Sequence, residues 1–221
     1  MGRIKGLIFD FDGVLVDSEP FWREADRRIL ESYGVTLNDD TKKAVIGVRP
    51  DDAVRMLLSL HGVEGDPAAS EAQRANMMEA YYREKIPLFP GASRVLEQLQ
   101  AAGYDLAVAS STPARLVTLA LQRHDILQYF SHVVSAESVP NGKPAPDIFL
   151  RALELLSLPA PTTLVVEDSR VGLMAARAAG TAAVWVRNDH STDAAAYADY
   201  TIEGVSEIPA LIEQIEAACG E

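Results

Sequence analysis

The sequence predicts an α/β fold, a doubly wound parallel sheet carrying an all-helical insert, and three observations predict it. Short aliphatic runs recur along the chain, helix-length segments separate most of them, and one long stretch near the N-terminus shows helical spacing without any strand. The runs cover residues 6–9, 106–109, 132–134, 164–166 and 183–186. They are continuous rather than alternating, as expected of parallel strands covered on both faces. Between them, Val95, Leu96 and Leu99, then Leu116, Leu119, Ala120 and Arg123, fall at helical spacings. Ile148, Phe149, Ala152, Leu153 and Leu156 do the same, and Gly103 and Gly180 stand where helix C-caps are wanted. Strand–helix–strand alternation of this kind defines a doubly wound sheet.

The first connection breaks the pattern. From Asp17 to about Pro90 there are only helical stretches. Phe21, Ala25, Ile29 and Tyr33 make a four-residue ladder ended by Gly34; a short stretch follows Asn38; a third covers residues 53–60; a fourth carries Met77, Met78, Tyr81 and Tyr82. Pro87-Leu88-Phe89-Pro90-Gly91 then returns the chain to the sheet. Such an insert is too long for a crossover loop. The expected division is a core of residues 1–16 and 88–221 and a helical cap of residues 17–87, tied to the sheet at two points and therefore mobile. The Met77/Tyr81 stripe reads as cap core.

Composition excludes several classes. With 221 residues the chain can bury a core without disulfides or a structural metal. No apolar run approaches the roughly 18 residues of a bilayer span. The N-terminal residues show no apolar leader region, and Cys219 is the single cysteine, so a reducing, cytoplasmic setting is expected. A monomer is expected as well, although no residue pattern specifies the oligomeric state. A formal net charge of −12 gives no basic stripe for nucleic acid or anionic lipid. His61, His124, His132 and His190 show no metal-ligand spacing.

Chemistry-bearing residues gather behind the strands. Asp10-Phe11-Asp12-Gly13 follows the first run, and residues i and i+2 of extended backbone project to one side, so two carboxylates become neighbours. Ser110-Ser111-Thr112 follows the second run, ahead of Pro113 at a helix start, where hydroxyls and free N–H groups suit phosphate oxygens; Thr112 itself reads as an N-cap. Lys143 sits in a proline-restricted loop, Asn141-Gly142-Lys143-Pro144-Ala145-Pro146. Glu167-Asp168-Ser169 ends the fourth run and seeks a cation. Polar sets behind four successive strands mark the ligand-binding edge of an α/β sheet.

Together, residues 10–18 (Asp-Phe-Asp-Gly-Val-Leu-Val-Asp-Ser), Ser110, Lys143-Pro144 and Glu167-Asp168-Ser169 resemble the four motifs of the haloacid dehalogenase superfamily. The helical insert after the first motif resembles its β-phosphoglucomutase-like, sugar-phosphatase branch. The resemblance covers the whole chain, and Asp12 argues against a hydrolytic dehalogenase, which lacks a second aspartate. It implies a Rossmann-like core and hydrolysis of a small phosphorylated metabolite, a sugar or sugar-acid phosphate. It implies Asp10 as the nucleophile that becomes an aspartyl-phosphate, and Asp12 as general acid and base. It implies Mg²⁺ held by the Asp10 carboxylate, the Asp12 backbone carbonyl and Asp168, with Glu167 near or indirect, and phosphoryl charge neutralised by Ser110, the Ser111 N–H and Lys143. Glu19, Trp22 and Arg49 lie where the cap meets the leaving group, Arg49 as an anion contact.

Two other functions share these features. A β-phosphoglucomutase-type isomerase uses the same motifs. A receiver-type phospho-acceptor module gathers acidic residues, a hydroxyl and a lysine, although the long insert and an Asp-x-Asp ending strand one argue against it. In the mutases of this branch a histidine on the first cap helix couples closure to acid–base action. Trp22 holds that place here, and an indole cannot take up a proton, so the coupling is expected to be absent and hydrolysis to win.

Overall fold

The fold is described from a computed structural model covering residues 3–188 and 194–219; His190 and the Cys219 side chain lie outside the described residues. Six parallel strands are β1 (Gly6–Phe9), β2 (Asp105–Ser110), β3 (His132–Ser135), β4 (Thr163–Glu167), β5 (Ala182–Val186) and β6 (Tyr200–Ile202). Their spatial order is β3-β2-β1-β4-β5-β6. β1 is central, with Phe9 opposite Val108 on one side and Val166 on the other. The chain winds away from β1 in one direction through β3 and in the other from β4, so the strand order reverses at β1/β4. Ligands bind at such a switch point, outside the carboxyl ends of the strands.

Nine helices accompany the sheet among the described residues: α1 (Glu19–Ser32), α2 (Asp39–Ala44), α3 (Pro50–Leu60), α4 (Pro67–Glu84), α5 (Ala92–Ala101), α6 (Ala114–Arg123), α7 (Asp147–Leu156), α8 (Arg170–Ala178) and α9 (Ile208–Cys219). Alternate residues of β1 explain its continuous apolarity. Leu7 and Phe9 join the core formed with α5, α6 and α9, while Ile8 joins the opposite one formed with α7 and α8. Each such side chain is fully buried, worth about 1.5–3 kcal/mol relative to exposure. The edge strand β6 and α9 complete the sheet beyond the runs recognised in the sequence.

The insert is helical throughout, as expected, but its buried face is not the expected ladder. On α1 the buried residues are Trp22, Ala25, Asp26, Ile29 and Leu30, and Tyr33 is exposed. A helix turns 3.6 residues at a time, so a strict i+4 ladder drifts off the core within three turns. On α4, likewise, Met78 and Tyr82 are fully buried while Met77 and Tyr81 lie at the edge.

Two chain segments join insert and sheet, and they are bonded to each other: the Asp17 N–H donates to the Pro87 carbonyl at 3.0 Å and the Phe89 N–H to Leu15 at 2.9 Å. Attachment goes beyond these segments. Trp22, Ala25, Met78 and Tyr82 belong to the same apolar cluster as Phe9 and Phe11. Smaller clusters, one of Ile29, Leu30, Val54 and Leu58 and one of Val45, Ala53 and Leu57, hold the insert's own helices together.

Candidate active site

β1 delivers Asp10 and, two residues later, Asp12. Gly13 then turns the chain at φ +79°, and a Cβ there would lie 2.1 Å from Asp168 Oδ2, so glycine is what lets the first motif pass against the fourth. β4 delivers Glu167 and Asp168. The Asp168 carbonyl accepts from the Trp185 indole at 3.1 Å, and its Oδ2 accepts from the Asn188 amide at 2.8 Å. Ser169 caps α8, its hydroxyl accepting from the Gly172 N–H, and turns back to donate to Glu167 Oε2 through both N–H, at 2.7 Å, and hydroxyl, at 2.9 Å.

Lys143 reaches into this group from the loop after β3. Its ammonium donates to Asp10 Oδ1 at 2.7 Å and to Glu167 Oε1 at 2.5 Å. Asp10, Glu167 and Asp168 each place a carboxylate oxygen within 4.8 Å of the others. Three buried carboxylates against one ammonium leave the group short of positive charge. Burial, opposed by Lys143 and assisted by Glu167 and Asp12, raises the Asp10 carboxyl to about 7. Asp168 is pushed well above the usual carboxylate range by burial and then by the charges of Glu167 and Asp10. For Lys143, burial works against the charge, but Asp10 and Glu167 outweigh it and hold the ammonium above its ordinary value. Hard oxygens with unbalanced negative charge are a donor set that suits Mg²⁺.

The Asp12 carboxylate points away from that cluster, toward the cap. Its Oδ2 accepts from the Thr112 hydroxyl at 2.6 Å and lies 3.5 Å from the Ser110 hydroxyl. Its Oδ1 accepts from Ser18 at 2.5 Å and from the Tyr82 hydroxyl. Burial and then the Asp12 charge hold the Tyr82 phenol well above its usual value. Thr112 is therefore no N-cap; Pro113 takes that position, and the hydroxyl is spent on Asp12.

Asp10, Asp12, Ser110, Ser111, Lys143 and Asp168 line one cavity, and from the cap Glu19 and Trp22 line it with them. Glu167 lies beneath it, fully buried behind Lys143. The Ser111 hydroxyl donates to the Gly47 carbonyl of the insert at 3.0 Å. Arg49, expected as an anion contact, is placed elsewhere: its guanidinium donates to the carbonyls of Ala136, Val139 (3.0 Å) and Pro140 (3.4 Å). It fastens the insert to the loop after β3. The Trp22 indole N–H sits 3.2 Å from the Tyr82 oxygen and 3.5 Å from Asp12 Oδ1, as a donor only.

Several cavity residues carried no signal in the sequence. Lys42 and Arg74 line the cap side, both buried, and both donate to fully buried Asp26, at 2.9 Å and 2.6 Å. Lys42 also lies 3.2 Å from Glu19, Arg74 lies 3.6 Å from Glu71, and the Arg74 guanidinium stacks 4.3 Å above the Trp22 ring. Burial pushes the Asp26 carboxyl up, but Arg74 and Lys42 together overcome it and hold it below the usual range. On helices read singly, these charges look like solvated faces; only the packing of α1, α2 and α4 brings them together.

An acidic pair just behind β1, a lysine after β3 and an acidic pair at the end of β4, under a helical insert, is the plan of a phosphoryl-processing α/β hydrolase. The sequence profile of the haloacid dehalogenase-like hydrolases matches residues 7–186, and the chain belongs to that family. It is 34% identical over 177 residues to the phosphorylated carbohydrates phosphatase of Thermotoga maritima, covering 80% of this chain and 82% of that protein. It is 30% identical to the fructose-1-phosphate phosphatase YqaB of Escherichia coli strain K12, covering 84% of this chain and 97% of the relative. A solved β-phosphoglucomutase from Clostridium difficile superposes with a TM-score of 0.83 at 18% identity, over 97% of this chain and 99% of that one, a likeness of fold. Among the described residues, no helix is long and apolar enough to cross a membrane.

Proposed function

We propose that this member of the family, a phosphoric monoester hydrolase, cleaves a small phosphorylated sugar or sugar acid through an aspartyl-phosphate on Asp10, with Mg²⁺ as cofactor. One observation carries the reading. The Asp10 carboxylate, 6% exposed, has one oxygen fixed by Lys143 and lies within the acidic group completed by Asp168. Asp10 attacks phosphorus as the bond to the leaving oxygen breaks, and Asp12 gives that oxygen a proton. Asp12 then takes a proton from water, whose oxygen bonds to phosphorus as the bond from phosphorus to Asp10 breaks, releasing phosphate and the free Asp10 carboxylate. The Ser110 hydroxyl, the Ser111 N–H and Lys143 offset the charge of the transferring group. Asp10, the Asp12 carbonyl and Asp168 would hold Mg²⁺, with Glu167 acting through Lys143, and the ion would balance the charge on the phosphoryl oxygens.

In this reading residues 17–87 act as a cap over a core of residues 1–16 and 88–221. The cavity between them measures about 70 Å³, far below the roughly 300 Å³ at which small-molecule pockets begin. Substrate enters by separation of the cap, with Glu19 and Trp22 meeting the leaving group after closure. The enzyme acts as a monomer in a reducing cytoplasm on a free metabolite; its acidity, −12 overall, suits neither nucleic acid nor anionic membrane.

The test is phosphate release across a panel of sugar phosphates with and without Mg²⁺, both products being followed by phosphorus NMR. Release of phosphate from hexose or related phosphates, abolished by chelation and restored by Mg²⁺, is expected. Interconversion of glucose 1-phosphate and glucose 6-phosphate outrunning release would replace hydrolysis with isomerisation.

A further inference from the structure

Asp12 follows β1 on a tight turn, and two side-chain dihedrals stand between its backbone and its carboxylate. A group that must first give and then take a proton has to be held within hydrogen-bond reach of both the leaving oxygen and the water. From the sheet side Thr112 fixes Oδ2, and Ser18, at the start of α1, holds Oδ1. The third close donor comes from farther along the insert: the hydroxyl of Tyr82, on α4, donates to Oδ1.

Packing explains the Tyr82 ring but not its oxygen. The ring is fully buried, stacked on Phe11 at 6.0 Å and edge-on to Trp22 at 6.2 Å, and a phenylalanine would fill the same space. A hydroxyl taken to that depth costs free energy unless it is fully bonded. Here it is. The Trp22 indole N–H has no acceptor capacity and donates to the phenol oxygen at 3.2 Å. With that oxygen accepting from the indole, its single proton is left for Asp12.

We propose that Tyr82 is a positioning residue for Asp12: its buried hydroxyl, oriented by the Trp22 indole, fixes the carboxylate in the rotamer from which it exchanges its proton. This rests on the reading of Asp12 as acid and base. Tyr82 itself touches neither phosphorus nor the leaving oxygen, so its effect passes entirely through Asp12.

The test is a double-mutant cycle of Tyr82→Phe and Asp12→Asn with p-nitrophenyl phosphate and Mg²⁺, run well below the melting transition of every variant. Tyr82→Phe should lower kcat roughly tenfold to a hundredfold, the worth of a hydrogen bond to a charged group, and leave KM within about twofold. Acid-quenched samples should contain more phosphoenzyme than wild type, because the water step lacks a well-placed base. In the Asp12→Asn background the same substitution should change kcat by less than about twofold. A kcat within about twofold of wild type for Tyr82→Phe, or an equal loss in both backgrounds, overturns the proposal. The underlying reading fails separately, if Asp12→Asn alone keeps wild-type turnover.

Discussion

Two buried ion clusters line the same cavity, and they are balanced in opposite ways. On the cap side Asp26 stands between Lys42 and Arg74, and each cation has a second, less buried glutamate beside it. Its carboxyl is held below the usual range, because two cations within the protein answer its one charge. On the sheet side one ammonium serves the carboxylates of Asp10 and Glu167, Asp168 stands beside them, and Asp10 rises to about 7. A carboxylate with two cations holds helices together; carboxylates that share one ammonium remain in need of a further cation. The same residue types thus give architecture in one place and chemistry in the other, and the stoichiometry of charge decides which.

The largest expected effect separates the two directly. Asp10→Asn should take turnover below detection while raising the melting temperature of the metal-free protein, because it withdraws a charge from an over-negative group. A lower melting temperature would break the comparison. Asp26→Asn should do the reverse, leaving two buried cations without their shared partner and costing about 3–5 kcal/mol in urea unfolding. A cost under about 1 kcal/mol would mean that the cap cluster carries no structural weight.

Two pH limbs sharpen the contrast. Asp26 is depressed in the folded state, so the stability it gives is complete above the unfolded value near 3.9 and is lost as pH falls through its folded value. Asp10 is raised, so between pH ~4 and about 7 the folded protein holds a proton that the unfolded chain has released. Stability of the metal-free protein should therefore fall as pH rises through that window, and Mg²⁺ should flatten the slope. Urea midpoints at several pH values, with and without Mg²⁺, check both limbs; a metal-free midpoint that climbs between pH 5 and 7 would contradict the second.

The smallest effect concerns Arg49. Its bonds go to carbonyls of the loop after β3, so Arg49→Ala should raise KM a few-fold for every substrate alike. A change in the ranking of substrates would instead put its guanidinium on the ligand.

The sequence made the sheet-side cluster legible because its residues stand directly behind apolar runs, where strand direction alone aims them at one edge. β1 to β5 were readable for the same reason, being near-continuously apolar. The edge strand β6 was not, with only Tyr200, Thr201 and Ile202 and one buried side chain among them. The cap-side cluster was illegible for a different reason: Asp26, Lys42 and Arg74 sit on three helices, and nothing local distinguishes them from surface charges. Tyr82 was passed over because the stripe read as cap core was Met77/Tyr81, whereas the buried ring is Tyr82, whose oxygen bonds to Asp12. Pairwise geometry across the insert was the missing information in both cases.

The closeness of Gly172 to Glu167 carries a consequence for altering this protein. A Cβ at 172 would stand 1.7 Å from Glu167 Oε1, so the first turn of α8 and the end of β4 already share one volume. The two positions, on different elements, behave as a single locus. Gly172→Ala alone must expel the glutamate from under Lys143, whereas shortening residue 167 in the same molecule opens the space the new methyl needs. Any redesign of the acidic group that leaves position 172 out of the alphabet of choices is constrained before it begins.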